Sequence, residues 1–158
     1  MSVRSQVELL RQVPLFEQID PVQLQVLVFS AKPIDVAAQE TLVAAGSLVG
    51  AGHLVLRGEG EVLEAEGDEQ RQVALVQAGA FVGELAMIAN LPASITVRAR
   101  TRMQVLQIGH DLFLQVCGEF PEIGAKVLEA LHTRLDTSLE DLRQAQAYFD
   151  RARPFTRS

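Results

Sequence analysis

The sequence contains a single cysteine, Cys117, among 158 residues. One thiol excludes a disulfide framework within the chain and a thiolate metal cluster, and it suits the cytoplasm, where this chain is expected to work. The opening Met1-Ser-Val-Arg-Ser-Gln-Val-Glu lacks the apolar run of a secretory signal. No stretch reaches the roughly 18 consecutive apolar residues of a membrane span, so no membrane contact is expected. Basic residues are the minority, 14 against 20 acidic, for a net charge of -6. Binding a phosphate polymer needs a clustered basic surface that releases counterions, and this balance argues against one. Arg98, Arg100 and Arg102 do recur at every second position, which on a strand is one face. Such a run reads as a solvated outer sheet face. Catalytic signatures are missing too: no Gly-x-Ser-x-Gly, no Gly-x-x-x-x-Gly-Lys and no His-Glu-x-x-His occurs. His53, His110 and His132 are each solitary, without a second ligand at metal spacing. The chain is therefore expected to be neither an enzyme nor a metalloprotein.

What is present is apolar and periodic. Hydrophobic residues make up 48% of the chain, enough to bury a core in one domain. Val7, Leu9, Leu10 and Val13 suit a short helix from Ser5 to about Val13, interrupted by Pro14-Leu15-Phe16. Asp20 reads as an N-cap with Pro21 at the first helical position, opening a helix from Val22 to Ala31. Its Leu24, Leu27 and Val28 share one face. From Pro33 to Ile108 short Val-, Leu- and Ile-rich runs alternate with glycines: 34–36, 41–44, 53–56, 60–63, 72–76, 95–99 and 103–108. That grammar predicts a sandwich, barrel or roll. The acidic stretch from Glu64 to Gln70 reads as an exposed hairpin loop.

After Ile108 the helical period returns. Asp111 is expected to cap a short helix carrying Leu112, Phe113 and Val116, with Cys117 on its apolar face as simple core. Pro121 restarts the chain, and from Glu122 a helix is expected to continue to about Tyr148. Leu128, Leu135, Leu142 and Phe149 lie seven apart, with Leu131, Ser138 and Ala145 between them. This a/d pattern, with two weak d positions, predicts a homodimer through the C-terminal helix.

The segment from Ala78 to Ala99 carries chemistry. A strand ends at Val76, glycines follow, and Gly83-Glu84-Leu85-Ala86 reads as the start of one helical turn. Backbone N–H groups at such a turn make an anion site, and a glycine lets a phosphate approach closely. Glu84 would accept from a sugar hydroxyl, or it is only a charge that stabilises a helix N-terminus. Ser94 and Thr96 would return along the next strand, as ligand contacts or as ordinary β formers.

These blocks, in order, resemble the cyclic-nucleotide-binding domain, the sensor of bacterial cyclic-AMP receptor proteins, protein kinase A regulatory subunits and nucleotide-gated channels. Leu10 to Phe16 resembles that family's hydrophobic-Pro-Leu-Phe opening. Glu40 to Gly46, Leu54-Val-Leu-Arg-Gly58 and Glu61-Val62 resemble its sheet. Phe81-Val-Gly-Glu-Leu-Ala86 resembles its phosphate-binding cassette, and Ala99 and the Phe113 helix also fall in place. The resemblance implies a mainly β fold with flanking helices, a double-stranded β-helix (a jelly-roll-like β-roll). N-terminal helices would occupy 1–32, the roll 33–109, the C-terminal helices with the dimerisation helix 110–153 and a tail 154–158. It implies a ligand site at Gly83, Glu84, Leu85, Ala86, Ala93, Ser94, Ile95 and Thr96. In the bacterial activators a hydroxyl near Ser138 reaches the purine, although the simpler reading of Ser138 is a small residue tolerated on a helix seam.

The chain departs from the pattern inside the pocket. The family closes its cassette with Pro-Arg-x-Ala-Thr, whose arginine pairs with the cyclic phosphate, and here the stretch reads Pro92-Ala93-Ser94-Ile95-Thr96. Ala93 stands at the arginine and Ile95 at the alanine; His53 replaces a common tyrosine and Gly60 a strand valine. The expected function is a regulatory ligand-sensing module with weak or altered cyclic-nucleotide binding, or a ligand-free dimerisation and docking module of the same fold. Its small-molecule ligand would be a cyclic nucleotide or another small anion, and its output an unidentified downstream protein. The eight residues from Arg151 to Ser158 are too few for the winged helix-turn-helix of the receptor proteins, so no direct nucleic-acid contact is expected.

Overall fold

In the computed structural model, which describes residues 2–133, two helices lead into a β-roll and helical structure follows it. Helix α1 spans Val3–Arg11 and α2 Pro21–Ser30. The Asp20 carboxylate accepts from the Val22 N–H at 2.8 Å, and Pro21 occupies the first turn, where its missing N–H costs nothing. Leu24, Leu27 and Val28 are buried, as their spacing requires. The strands are β1 Lys32–Val36, β2 Thr41–Val43, β3 Ala51–Arg57, β4 Gly60–Glu66, β5 Glu69–Val76, β6 Phe81–Val82, β7 Thr96–Ala99 and β8 Met103–Gly109. Helix α3, Glu84–Ala89, interrupts them between β6 and β7, and α4, His110–Glu119, follows β8. Residues 121–133 are helical. No helix among the described residues is long and apolar enough to cross a membrane.

Two antiparallel four-stranded sheets face each other, ordered β1-β8-β3-β6 and β2-β7-β4-β5. Between them Val36, Val55, Ala99, Met103 and Val105 form one apolar cluster, and Val43, Val62, Val82 and Val97 form another. The outer face of β3 and β8 offers Leu54, Leu56, Leu106 and Ile108 to the helices, which return Leu10, Leu24, Phe113 and Ile123. β3 is therefore covered on both faces, so it reads as a continuous apolar run rather than an alternation.

Two expectations change. The acidic stretch is mostly strand: β4 and β5 pair out to Glu66 and Glu69, leaving only Gly67-Asp68 as the turn. Glu64 and Glu69 sit on exposed strand positions, where solvent tolerates a charge as well as in a loop. Asp111 is not the cap of α4. β8 runs straight into that helix, Gly109 is its N-cap, and the first helical N–H, of His110, donates to the Gly50 carbonyl at 2.8 Å. The C-terminal helix begins at residue 121, with Pro121 at its first position, and the predicted seam residues Leu135, Ser138, Leu142, Ala145 and Phe149 lie outside the described residues.

Candidate ligand-binding site

The site is built where β6 gives way to α3. Val82 pairs with His53 of β3, and the chain then turns at Gly83 with φ +85°. A Cβ there would stand 2.8 Å from the Ala51 carbonyl oxygen, so only glycine lets the cassette lie against β3. The six-residue α3 ends at Asn90, itself left-handed, whose N–H donates to the Ala86 carbonyl. From there Leu91 to Ile95 loops back to β7. The Ala93 N–H donates to the Ser47 carbonyl at 2.9 Å, and its own carbonyl accepts from Gly46 at 2.7 Å, which stitches the returning arm to the β2–β3 loop.

These segments enclose a cavity of about 540 Å³, within the usual range for a small-molecule site. Gly83, Glu84, Leu85, Ala86, Ala93, Ser94 and Ile95 all border it. Thr96 does not: its hydroxyl accepts from the Ala45 N–H at 3.0 Å and secures the same loop. Ser94 is exposed at the rim, and Ser138 lies outside the described residues. The structure adds Val43, Phe81, Val82 and Val97 to the walls. Val43 and Val97 alternate with more exposed neighbours in β2 and β7, Phe81-Val82 is too short to show a period, and only the strand register brings these three strands to one cavity.

The lining is apolar with one ionisable side chain, Glu84, and no cation among the described residues. Ala93, the residue expected at the family's arginine position, packs its methyl against the Val43, Val62, Val82 and Val97 cluster. The nearby arginines point elsewhere. Arg98 alternates with the buried Val97 and lies 3.3 Å from Glu61, while Arg100 lies 3.4 Å from Glu59 and Arg102 3.7 Å from Asp35. Beside Val82, on the same inner face, is His53, fully buried. Its Nε2 meets the Gln107 Oε1 at 3.2 Å, and its Nδ1 has no hydrogen-bond partner. Burial pushes its pKa below the ordinary value, and the Gln107 bond offsets this only in part.

A sequence model described as the cyclic nucleotide-binding domain matches residues 33–120. The chain belongs to the cyclic nucleotide-binding domain family. Within that family it is 30% identical over 114 residues to the cAMP-dependent protein kinase regulatory subunit of Emericella nidulans, a match covering 72% of this chain and 27% of that protein. The chain spans between 12 and 28% of the length of the curated relatives it matches, among them the potassium channel KAT3 of Arabidopsis thaliana. The N-terminal domain of a transcriptional regulator from Streptomyces coelicolor superposes with a TM-score of 0.78 at 25% identity, covering 85% of this chain and 94% of that one. The regulatory domain of Toxoplasma gondii PKA, solved with cAMP, superposes with a TM-score of 0.68 at 25% identity, covering 72% and 44%. The cyclic nucleotide-binding domain thus accounts for the roll, the cassette and α4.

Proposed function

We propose that this chain is a regulatory, non-catalytic sensing module whose cassette cavity binds cyclic nucleotides weakly. It would pass its state to a downstream protein, working as a homodimer through the C-terminal helix. One observation carries the reading: the cavity has the family's cassette around it and no cation in its lining among the described residues. A cyclic phosphate keeps one negative charge and loses much of its hydration on entering such a site. Charge-assisted hydrogen bonds to it contribute about 1.5–3 kcal/mol. Removing them weakens binding by roughly ten- to a hundredfold. Ile95, beside Ala93, narrows the same space, so a smaller or less charged ligand suits the cavity better.

Titration calorimetry with cyclic AMP on the wild type and on Ala93→Arg tests this. Weak or undetectable binding by the wild type and a gain of at least about tenfold in the variant are expected. Micromolar binding by the wild type would overturn the reading. The same missing cation favours a second reading, a ligand-free docking module of the same fold. A thermal-shift panel of nucleotides and nucleosides separates the two, because a ligand that binds only the native state raises its stability by mass action.

A further inference from the structure

We infer that His110 is a latch that fixes the resting position of the cassette helix and ties it to α4. The regulatory role of this tie rests on the sensing function proposed above; the tie itself does not. α3 has only six residues, so most of its carbonyls find no partner within the helix. The Met87 carbonyl is one of them, and Met87 is fully buried, which keeps water from serving it. The His110 Nδ1 lies 2.7 Å from this oxygen. A carbonyl can only accept, so Nδ1 carries the proton and donates.

His110 is itself held firmly. Its backbone N–H donates to the Gly50 carbonyl at 2.8 Å, and it is the first residue of α4. Gly50 in turn lies against the far end of α3, since a Cβ on it would approach the Asn90 Oδ1 to 3.1 Å. The other end of α3 rests on Ala51 through Gly83. The cassette helix is thus pinned at its start by backbone contact with β3 and near its end by an imidazole from α4. A ligand that draws α3 toward the cavity must carry α4 with it or break the Met87–His110 bond. The two residues are 23 apart in sequence, and no motif marks the pair.

Hydrogen–deuterium exchange on the full chain without ligand tests the latch. His110→Phe, which keeps a ring but has no donor, is expected to speed exchange at residues 87–91 by about tenfold and to leave the β3 and β8 amides protected. His110→Asn, whose amide places a donor near the Nδ1 position, is expected to restore protection. Unchanged exchange in α3, or equal loss across β8, would overturn the proposal. Should His110→Phe fail to fold, the wild type decides the question by ¹⁵N NMR of its imidazoles. In the neutral ring His110 is expected as the Nδ1–H tautomer, and an Nε2–H tautomer would overturn the latch. The calorimetry on Ala93→Arg bears on the sensing role alone, so either conclusion can fail without the other.

Discussion

Burying an imidazole penalises its cation far more than its neutral form, and His53 is the residue where this matters most. It is the one buried polar side chain among the described residues, between Val82 and Gln107 inside the roll. Its pKa in the fold lies below that of the unfolded chain. Above roughly pH 6.5 both states are neutral and His53 gives stability no pH dependence. As the pH falls through that value the unfolded chain takes up a proton that the fold resists, so stability declines until the lowered folded pKa is reached. The slope approaches about 1.4 kcal/mol per pH unit for a single proton. Urea unfolding at pH 7.5 and 5.5 is expected to show the wild type losing more stability than His53→Leu. Equal losses would assign the acid sensitivity to other groups. Cys117 is the other perturbed group among the described residues; burial raises its thiol pKa, which agrees with a packing role on α4 rather than a reactive one.

At the scale of elements, two turns with left-handed glycines separate conformational cost from packing cost. Gly67, φ +66°, sits in the β4–β5 turn, and a Cβ added to it would meet nothing within 4 Å. Gly67→Ala is therefore expected to cost about 1 kcal/mol, the backbone penalty alone. Gly83, φ +85°, adds the 2.8 Å approach to the Ala51 oxygen, a backbone atom that cannot rotate away. Gly83→Ala is expected to cost about 2–3 kcal/mol, because the cassette must move off β3. Denaturation midpoints of the two variants check this, and equal losses would mean that the cassette is not seated on β3. Sequence legibility follows the same division. The longer strands of the roll are readable because β-branched runs between glycines carry their own period. β6 is not, since Phe81-Val82 is too short to show one. The acidic hairpin passes for a loop because charge on two exposed faces hides alternation. Glu84 and Ala93 stand out through the order of the family's blocks, whereas Val43 and Val97 need the strand register and Met87–His110 needs the tertiary fold.

For the whole molecule, the question is what covers the helix that begins at residue 121. Its Ile123 and Val127 are fully buried against the helical core, so one face is satisfied within the chain. Leu128, one residue on and about 100° around the helix, is 58% exposed, and Leu131 is only partly covered. In sequence this second stripe continues at seven-residue spacing through Leu135, Leu142 and Phe149, with Ser138 and Ala145 in the alternate positions. An apolar stripe that repeats every seven residues in sequence and starts from the exposed Leu128 is the pattern that a partner helix buries in a parallel pair. The small d positions weaken that seam, so the dimer is expected to be modest, dissociating at low concentration. Leu135→Asp puts a charge at a central a position and is expected to give a monomer by light scattering at concentrations where the wild type is dimeric. Leu128→Asp changes a residue already exposed in the monomer, so it is expected to weaken the dimer while leaving the melting of the roll almost unchanged. A wild type that stays monomeric at high micromolar concentration would show that the stripe serves another partner or none.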